Sequence, residues 1–128
     1  MSGFPNLFVT AGPNSAPNHG AGHNILSEEH VHYIVECLQY LVENGHDAMD
    51  VRQDVLDEYN RRVDEALDKT VWVHPGAETN GYYRNSEGRA VVPCPWRLVD
   101  YWTLLREPHP DHFEFIDPAR VGGKGTSA

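Results

Sequence analysis

Two long stretches of the chain have the apolar spacing of a helix. The first begins between Gly22 and Ser27, and Gly45 is a residue suited to ending it. Its start has two interpretations: Ser27 caps the helix, or the helix begins at Gly22 to Asn24 and contains Ser27. The apolar positions that follow this spacing are Val31, Ile34, Val35, Leu38, Leu41 and Val42.

The second helix is predicted from about Val51 to Leu67, where apolar residues recur every four positions. These are Val51, Val55, Tyr59, Val63 and Leu67. The opposite face is rich in charged residues, which is typical of a solvated helix face with ion pairs between successive turns.

Short apolar runs predict a few strands between and around the helices. Leu7 to Thr10 is apolar on both faces and suits the middle of a parallel sheet. Thr70 to Val73 and Arg89 to Val92 are further candidates, the latter ended by a Pro-Cys-Pro run. Trp96 to Leu105 is predicted to be helical at its end, and His112 to Ile116 to be a terminal strand or coil.

Composition limits the function classes. The 128 residues suffice for one domain, and 40% hydrophobic with 23% charged residues is typical of a globular chain. A net charge of −9 argues against nucleic acid and against an anionic membrane surface. Cys37 and Cys94 form no CxxC pair, and no signal peptide or membrane-spanning run is present. We therefore expect a cytoplasmic protein.

A glycine-rich loop, Ala11 to Gly22, leads into the first helix and is the strongest candidate site. Helix N-termini have unpaired N–H groups and partial positive charge, so they bind phosphates or other electron-rich oxygens. The loop matches neither a P-loop nor GxGxxG, and a simple helix entry with flexible turn residues explains the pattern about as well.

The other candidate chemistry is weaker. Eight histidines invite a metal site, but those at 19, 23, 30 and 32 lack ligand spacing, so we expect no metal. Cys37 is expected to pack as a small hydrophobe, and we predict no catalytic acid, base or nucleophile. The loop Asn80 to Asn85 combines two tyrosines, an arginine and two amides, which suits a planar or sugar-phosphate ligand or packing on the core.

Six short motifs along the chain form a recognisable set. They are Gly3-Phe4-Pro5-Asn6-Leu7-Phe8, Gly12-Pro13-Asn14-Ser15, His19-Gly20-Ala21-Gly22, the loop from Asn80 to Arg89, Pro95-Trp96 and Tyr101-Trp102. Together they resemble the C-terminal part of flavin-dependent Baeyer–Villiger monooxygenases, in particular those acting on aryl ketones such as 4-hydroxyacetophenone. The resemblance runs from Gly3 to about Phe113. It implies an α/β fold: a C-terminal fragment of a flavoprotein with two dinucleotide-binding domains, containing two main helices and a few short strands.

The resemblance also implies cofactors and a site. FAD and NADPH would be the cofactors, and the helix N-terminus would face the N1–C2=O edge of the flavin, where reduced flavin carries negative charge. The implied flavin contacts are Gly12, Ser15, Gly20, Gly22, His23 and Asn24. The implied substrate and NADPH side of the pocket comprises Tyr82, Tyr83 and Arg84; Tyr82 stands where the family usually has tryptophan, and Gly81 where it usually has serine.

The same resemblance suggests how the chain is divided. Residues 1–45 would end the FAD-binding domain, 46–116 would carry the second helix and pocket loops, and 117–128 would be a flexible tail. The family's two GxGxxG motifs are absent. We therefore expect a fragment that is inactive alone, contributing to oxidation of ketones to esters when a partner chain supplies the nucleotide-binding domains. The alternative is a non-catalytic remnant or interaction module that docks on another subunit.

Overall fold

The computed structural model describes residues 1–17, 22–74 and 81–118. Within these ranges the chain has three α-helices, a single 3-10 turn and four short strands, which confirms the predicted α/β content. The helices are α1 (His23–Asn44), α2 (Gln53–Leu67) and α3 (Leu98–Leu104), and the 3-10 turn is Pro110–His112. The strands are β1 (Ala16–Pro17), β2 (Ala48–Val51), β3 (Pro93–Cys94) and β4 (Phe113–Ile116).

The strands form two separate pairs. β1 and β3 are parallel, with Ala16 opposite Pro93. β2 and β4 are antiparallel, with Ala48 opposite Ile116 and Val51 opposite Phe113. The predicted terminal strand is therefore confirmed as β4, whereas β2 was not predicted because its end was assigned to the second helix. That helix begins at Gln53, after Arg52 takes an extended conformation.

α1 begins at His23, so Ser27 lies inside the helix, as the second interpretation of its start requires. The predicted stop at Gly45 is confirmed, with a left-handed φ of 70°. The Gly45 N–H donates to Val42 O at 3.3 Å and the His46 N–H to Leu41 O at 3.0 Å. This pair of bonds is a Schellman motif, and it favours glycine because a side chain is strained at this φ.

The face that α1 buries differs from the one its apolar spacing suggests. Leu26, Cys37 and Leu41 are buried. Four of the six apolar positions named above are instead exposed, namely Val31, Val35, Leu38 and Val42. α1 is therefore apolar on two faces, and the described residues cover only one of them. The burial of Cys37 confirms its expected packing role.

Three small clusters make up the core. One joins Leu26, Cys94 and Tyr101, a second joins Cys37, Leu41 and Met49, and a third joins Val63, Leu67 and Ala90. Trp96 packs against both the first and the third, so it connects α2 to α3. Among the helices of the described ranges, none is long and apolar enough to cross a membrane.

The predicted strand at Leu7 to Thr10 is wrong. Leu7 and Val9 are exposed, and the segment is not hydrogen-bonded as a strand. Asn6, at a positive φ of 58°, turns the chain and pairs with Met49: its N–H donates to Met49 O, and its Oδ1 accepts from the Met49 N–H, both at 3.0 Å. The Asn6 side-chain oxygen thus takes the place of the backbone carbonyl that would accept in a strand. Strand-like pairing therefore does not continue beyond Asn6.

The two internal strand predictions also need correction. Residues 70–73 form turns, since Thr70 Oγ1 and N–H both donate to Leu67 O and the Val73 N–H donates to Thr70 O. In the run from Arg89 to Val92, Ala90 makes one isolated bridge with Arg84. The strand is instead formed by Pro93 and Cys94, which come directly after this run. Proline is tolerated there because an edge strand does not need every backbone N–H for pairing.

Candidate functional site

Asn14 fixes the glycine-rich loop to the rest of the molecule. Its side chain is buried, and its Nδ2 donates to Ala90 O at 2.9 Å and to Pro93 O at 3.0 Å. Its backbone N–H donates to Val91 O at 2.7 Å, and its φ of 54° is left-handed. Asparagine tolerates this φ better than most residues. These contacts hold β1 beside β3 and set the position from which the chain approaches α1.

Gly12 and Ser15, two of the residues implied to contact flavin, form the turn around Asn14. The Ser15 Oγ donates to Gly12 O at 2.5 Å, and the Ser15 N–H donates to the same oxygen at 3.3 Å. A Cβ on Gly12 would lie 3.1 Å from Val9 Cγ1. Both residues line a cavity of about 400 Å³ that reaches Leu26 and His30 of α1.

The start of α1 is accessible. Gly22 is exposed and caps the helix in an extended conformation, and a Cβ added there would meet nothing within 4 Å among the described atoms. The first turn carries no acidic residue and, as far as the chain is described, no side chain caps it. Asn24 is exposed. Gly20 and the His23 side chain lie outside the described parts of the chain.

Tyr82, Tyr83 and Arg84 form a second group with different degrees of exposure. Tyr82 is 79% exposed and meets Tyr83 edge-on, while the Tyr83 ring centre lies 4.5 Å from that of Trp72. Arg84 donates to Trp72 O at 2.9 Å and to Gly88 O at 3.1 Å. Tyr83 and Arg84 therefore brace their loop, and Tyr82 is the side chain left open to solvent. Asn80 is outside the described ranges.

The two predicted groups do not surround one cavity among the described residues. Gly12 and Ser15 line two cavities, of about 400 and about 360 Å³, and neither of these includes Tyr82, Tyr83 or Arg84. Asn14 bonds to the backbone of residues 90–93, and the Val91 N–H in turn donates to Tyr83 O at 2.9 Å. The two groups are therefore connected through this stretch of backbone.

A His–Tyr pair that the sequence did not suggest lies in the wall of the cavity of about 360 Å³. His30 Nε2 of α1 is 2.8 Å from the Tyr101 hydroxyl oxygen of α3. Burial lowers the pKa of His30 below its ordinary value, and the nearby Glu29 partly offsets this. Burial raises the pKa of Tyr101. Both side chains are therefore neutral at pH 7, and the pair forms one neutral hydrogen bond.

Aromatic side chains extend this wall. Tyr33, Tyr59 and Tyr101 line both the cavity of about 360 Å³ and a neighbouring one of about 510 Å³. The Tyr59 hydroxyl accepts a hydrogen bond from Trp96 Nε1 at 3.2 Å. An apolar cavity with a few oriented polar groups suits a flat, mostly apolar organic molecule.

Asp50 adds a negative group to the cavity of about 360 Å³. Its Oδ2 accepts from the Gly3 N–H at 2.7 Å, whereas its Oδ1 is buried and has no hydrogen-bond partner among the described residues. A free buried acceptor favours a ligand or water that donates a hydrogen bond.

The cysteines are chemically quiet. Burial raises the pKa of the Cys37 thiol to about 11, an effect partly opposed by a hydrogen bond with Tyr33. Burial also raises the pKa of Cys94. Neither is a thiolate at neutral pH, so neither is an activated nucleophile. Within the described ranges, no three His, Cys, Asp or Glu side chains group as a metal site.

Comparisons with known proteins give a consistent family of relatives. The chain is 36% identical over 113 residues to an uncharacterised monooxygenase of Sinorhizobium fredii, covering 88% of this chain and 17% of that protein. It is 31% identical over 103 residues to a Baeyer–Villiger monooxygenase of Pseudomonas aeruginosa, covering 76% and 19%. It is 28% identical over 133 residues to a Baeyer–Villiger monooxygenase of Streptomyces coelicolor, covering 99% and 24%.

Each match covers only a small part of the relative. The chain spans roughly a fifth of the length of the curated relatives it matches, with 17%, 19% and 24% covered in these three. The general resemblance to Baeyer–Villiger monooxygenases is confirmed in this coarse form, as similarity to a segment of such proteins. No protein-family model matches the chain, and no solved structure matches it.

Proposed function

We propose that the chain is the C-terminal portion of an FAD- and NADPH-dependent monooxygenase that oxidises ketones, including aryl ketones, to esters. The observation that carries this proposal is its similarity, over most of its length, to segments of proteins named Baeyer–Villiger monooxygenases. A bound flavin would supply the oxygen chemistry. The residues of this chain would bind and orient the cofactor, and none of them would act as a catalytic acid, base or nucleophile.

The start of α1 fits an electron-rich flavin edge. The N–H groups of His23 and Asn24 have no acceptor within the helix, whereas the Ile25 N–H donates to Gly22 O at 3.1 Å. No acidic residue in the first turn neutralises the positive end of the helix. Gly22 leaves room for another group to approach. Gly12, Gly20, Gly22, His23 and Asn24 would contribute backbone contacts. Ser15 fits less well as a donor, since its hydroxyl and N–H are both directed at Gly12 O.

Tyr82 is the best candidate on the substrate and NADPH side because it is the most exposed member of its group. Tyr83 and Arg84 would act indirectly by holding the loop against Trp72. The division at residues 45 and 116 belongs to the same proposal. Residues 1–45 would complete the flavin-binding domain, and the following segment would complete the pocket.

A chimera tests this function. The 103-residue segment of the Pseudomonas aeruginosa enzyme that matches this chain is replaced by this chain, and FAD content and NADPH-dependent ester formation are measured. We expect bound FAD and ester product, with neither in the same enzyme lacking the segment. A folded chimera that retains no FAD would contradict the proposal. The isolated chain, as a further control, is expected to be colourless and not to oxidise NADPH.

A further inference from the structure

The cavity of about 510 Å³ is separate from both groups of residues assigned above. Its described lining contains none of the residues implied to contact flavin and none of the group around Tyr82. It is formed by α1, α2, α3 and β4, and its largely apolar wall includes Tyr33, Val55, Tyr59, Tyr101, Leu105 and Phe113. Small-molecule sites usually measure about 300–1,000 Å³, so this cavity is large enough for a small organic ligand.

The cavity lies where the apolar face of α2 is not covered by the core. In the C-terminal half of the helix, Val63 and Leu67 are 0% and 2% exposed and belong to one core cluster. Val55 and Tyr59 continue the same face toward the N-terminus of the helix, where they are half-buried and line the cavity. Covering this part of the wall with an apolar molecule is favourable, since it removes apolar surface from water.

The two carboxylates at the cavity are already balanced by arginines. Asp54 and Glu58 both line it. Arg52 donates to the two oxygens of Asp54 through its Nε and Nη2, at 3.1 and 2.7 Å. Arg61 donates to the two oxygens of Glu58 through the same pair of nitrogens, both at 2.8 Å. These bidentate pairs leave neither carboxylate as the dominant charge at the cavity.

Arg62 is a cation at the cavity that is not balanced in this way. It makes no ion pair with any residue in the described part of the chain, and its guanidinium lies 5.5 Å from the centre of the Trp96 ring. His109 and His112 also line the cavity, and their ring N–H groups can donate hydrogen bonds. An unbalanced positive charge among donors favours a ligand with a negatively charged acceptor.

We infer that this cavity binds a small aromatic carboxylate, with its ring against the tyrosines and its carboxylate at Arg62. Burial raises the pKa of Tyr33, Tyr59 and Tyr101, so all three are neutral at pH 7 and none repels an anion. The net charge of −9 opposes anion binding, but its distant charges are screened beyond about 8–10 Å at moderate salt. The inference does not depend on the proposed function.

Three naphthalene probes test the charge preference on the full chain. Naphthoate, naphthamide and naphthylmethylammonium share one aromatic body and differ in charge, and titration calorimetry measures the Kd of each. We expect naphthoate to bind with a Kd below about 1 mM, about fivefold more tightly than the amide, and the ammonium to bind most weakly. Absence of naphthoate binding, or binding of the amide or the ammonium at least as tight, would overturn the inference.

Arg62→Gln tests the assigned partner of the carboxylate. Arg106→Gln is the matched control, because the Arg106 guanidinium also lies over a tryptophan, 4.7 Å from the centre of the Trp102 ring, but does not line the cavity. We expect Arg62→Gln to abolish the preference for naphthoate over naphthamide and Arg106→Gln to retain it. Comparing two probes on one variant cancels any change in folding. An equal preference in the two variants would contradict the role of Arg62.

A larger side chain at the cavity wall tests the location. Leu104 lines the cavity and is 39% exposed, whereas Leu38 of α1 is 47% exposed and does not line it. We expect Leu104→Trp to weaken naphthoate binding about tenfold and Leu38→Trp to leave it unchanged. Thermal unfolding checks that both variants are folded. Unchanged binding in folded Leu104→Trp, or an equal loss in Leu38→Trp, would place the ligand elsewhere and overturn the inference.

Discussion

His30 Nε2 and the Tyr101 hydroxyl oxygen lie 2.8 Å apart, although 71 residues separate them in sequence. Their rings meet nearly perpendicularly, with centres 5.9 Å apart. The bond joins α1 to α3 across the wall of a cavity. Tyr101 also belongs to the core cluster with Leu26 and Cys94, so the pair connects a polar contact of the cavity to the packing beneath it.

Replacing the Tyr101 hydroxyl tests what this bond contributes to stability. Tyr101→Phe keeps the ring packing and removes the partner of His30, so we expect the free energy of unfolding to fall by about 1 kcal/mol. Urea unfolding measures the change. Tyr82→Phe is the control, because Tyr82 is 79% exposed, and it should leave the midpoint unchanged. Equal effects of the two substitutions would show that the pair is not stabilising.

Stability should also depend on the protonation of His30. Its pKa in the folded chain is below the ordinary value of 6.5, so the unfolded chain binds the proton more readily. The free energy of unfolding is therefore highest above the ordinary pKa. It decreases as the pH falls from there through the pKa that His30 has in the folded chain. Urea unfolding between about pH 5 and about pH 8 should show this loss, and His30→Gln should reduce it. A difference between wild type and variant that is constant with pH would contradict the assignment.

Substitution of Asn14 should lower stability more than substitution of most other polar residues. Asn14→Ala leaves the buried carbonyls of Ala90 and Pro93 without their donor and places alanine at a left-handed φ. We expect a loss of about 2–3 kcal/mol in the free energy of unfolding. Asn44→Ala is the matched control: its amide is exposed and donates to Tyr40 O. Comparable losses in both variants would show that the buried hydrogen bonds of Asn14 contribute no more to stability than the exposed one of Asn44.

The helices could be predicted from sequence because their signals are local. Apolar spacing located α1 and α2, and Gly45 ended α1 through a backbone conformation that favours glycine. The same spacing could not tell which apolar face of α1 is buried. That depends on neighbours such as Tyr101 and Met49, which come from distant parts of the chain.

The strands and the polar contacts of the site could not be predicted because their partners are distant. β2 exists through its pairing with β4, and β1 through its pairing with β3 and the bonds of Asn14. The motif containing Gly12 and Ser15 lies in the loop that Asn14 fixes to the rest of the molecule. Its central residue for stability, however, is Asn14, and no local pattern indicates a donor that reaches 76 and 79 residues along the chain.

The central claim is that the N-terminus of α1 faces the flavin, and one pair of substitutions in the chimera tests it most directly. Asn24→Glu adds a negative charge at the positive end of the helix, whereas Gln39→Glu adds the same charge at an exposed position further along it. The dissociation constant for FAD is measured by fluorescence titration of the apoprotein. We expect Asn24→Glu to weaken binding about fivefold and Gln39→Glu to leave it unchanged. Equal FAD affinity in the two variants would contradict the claim.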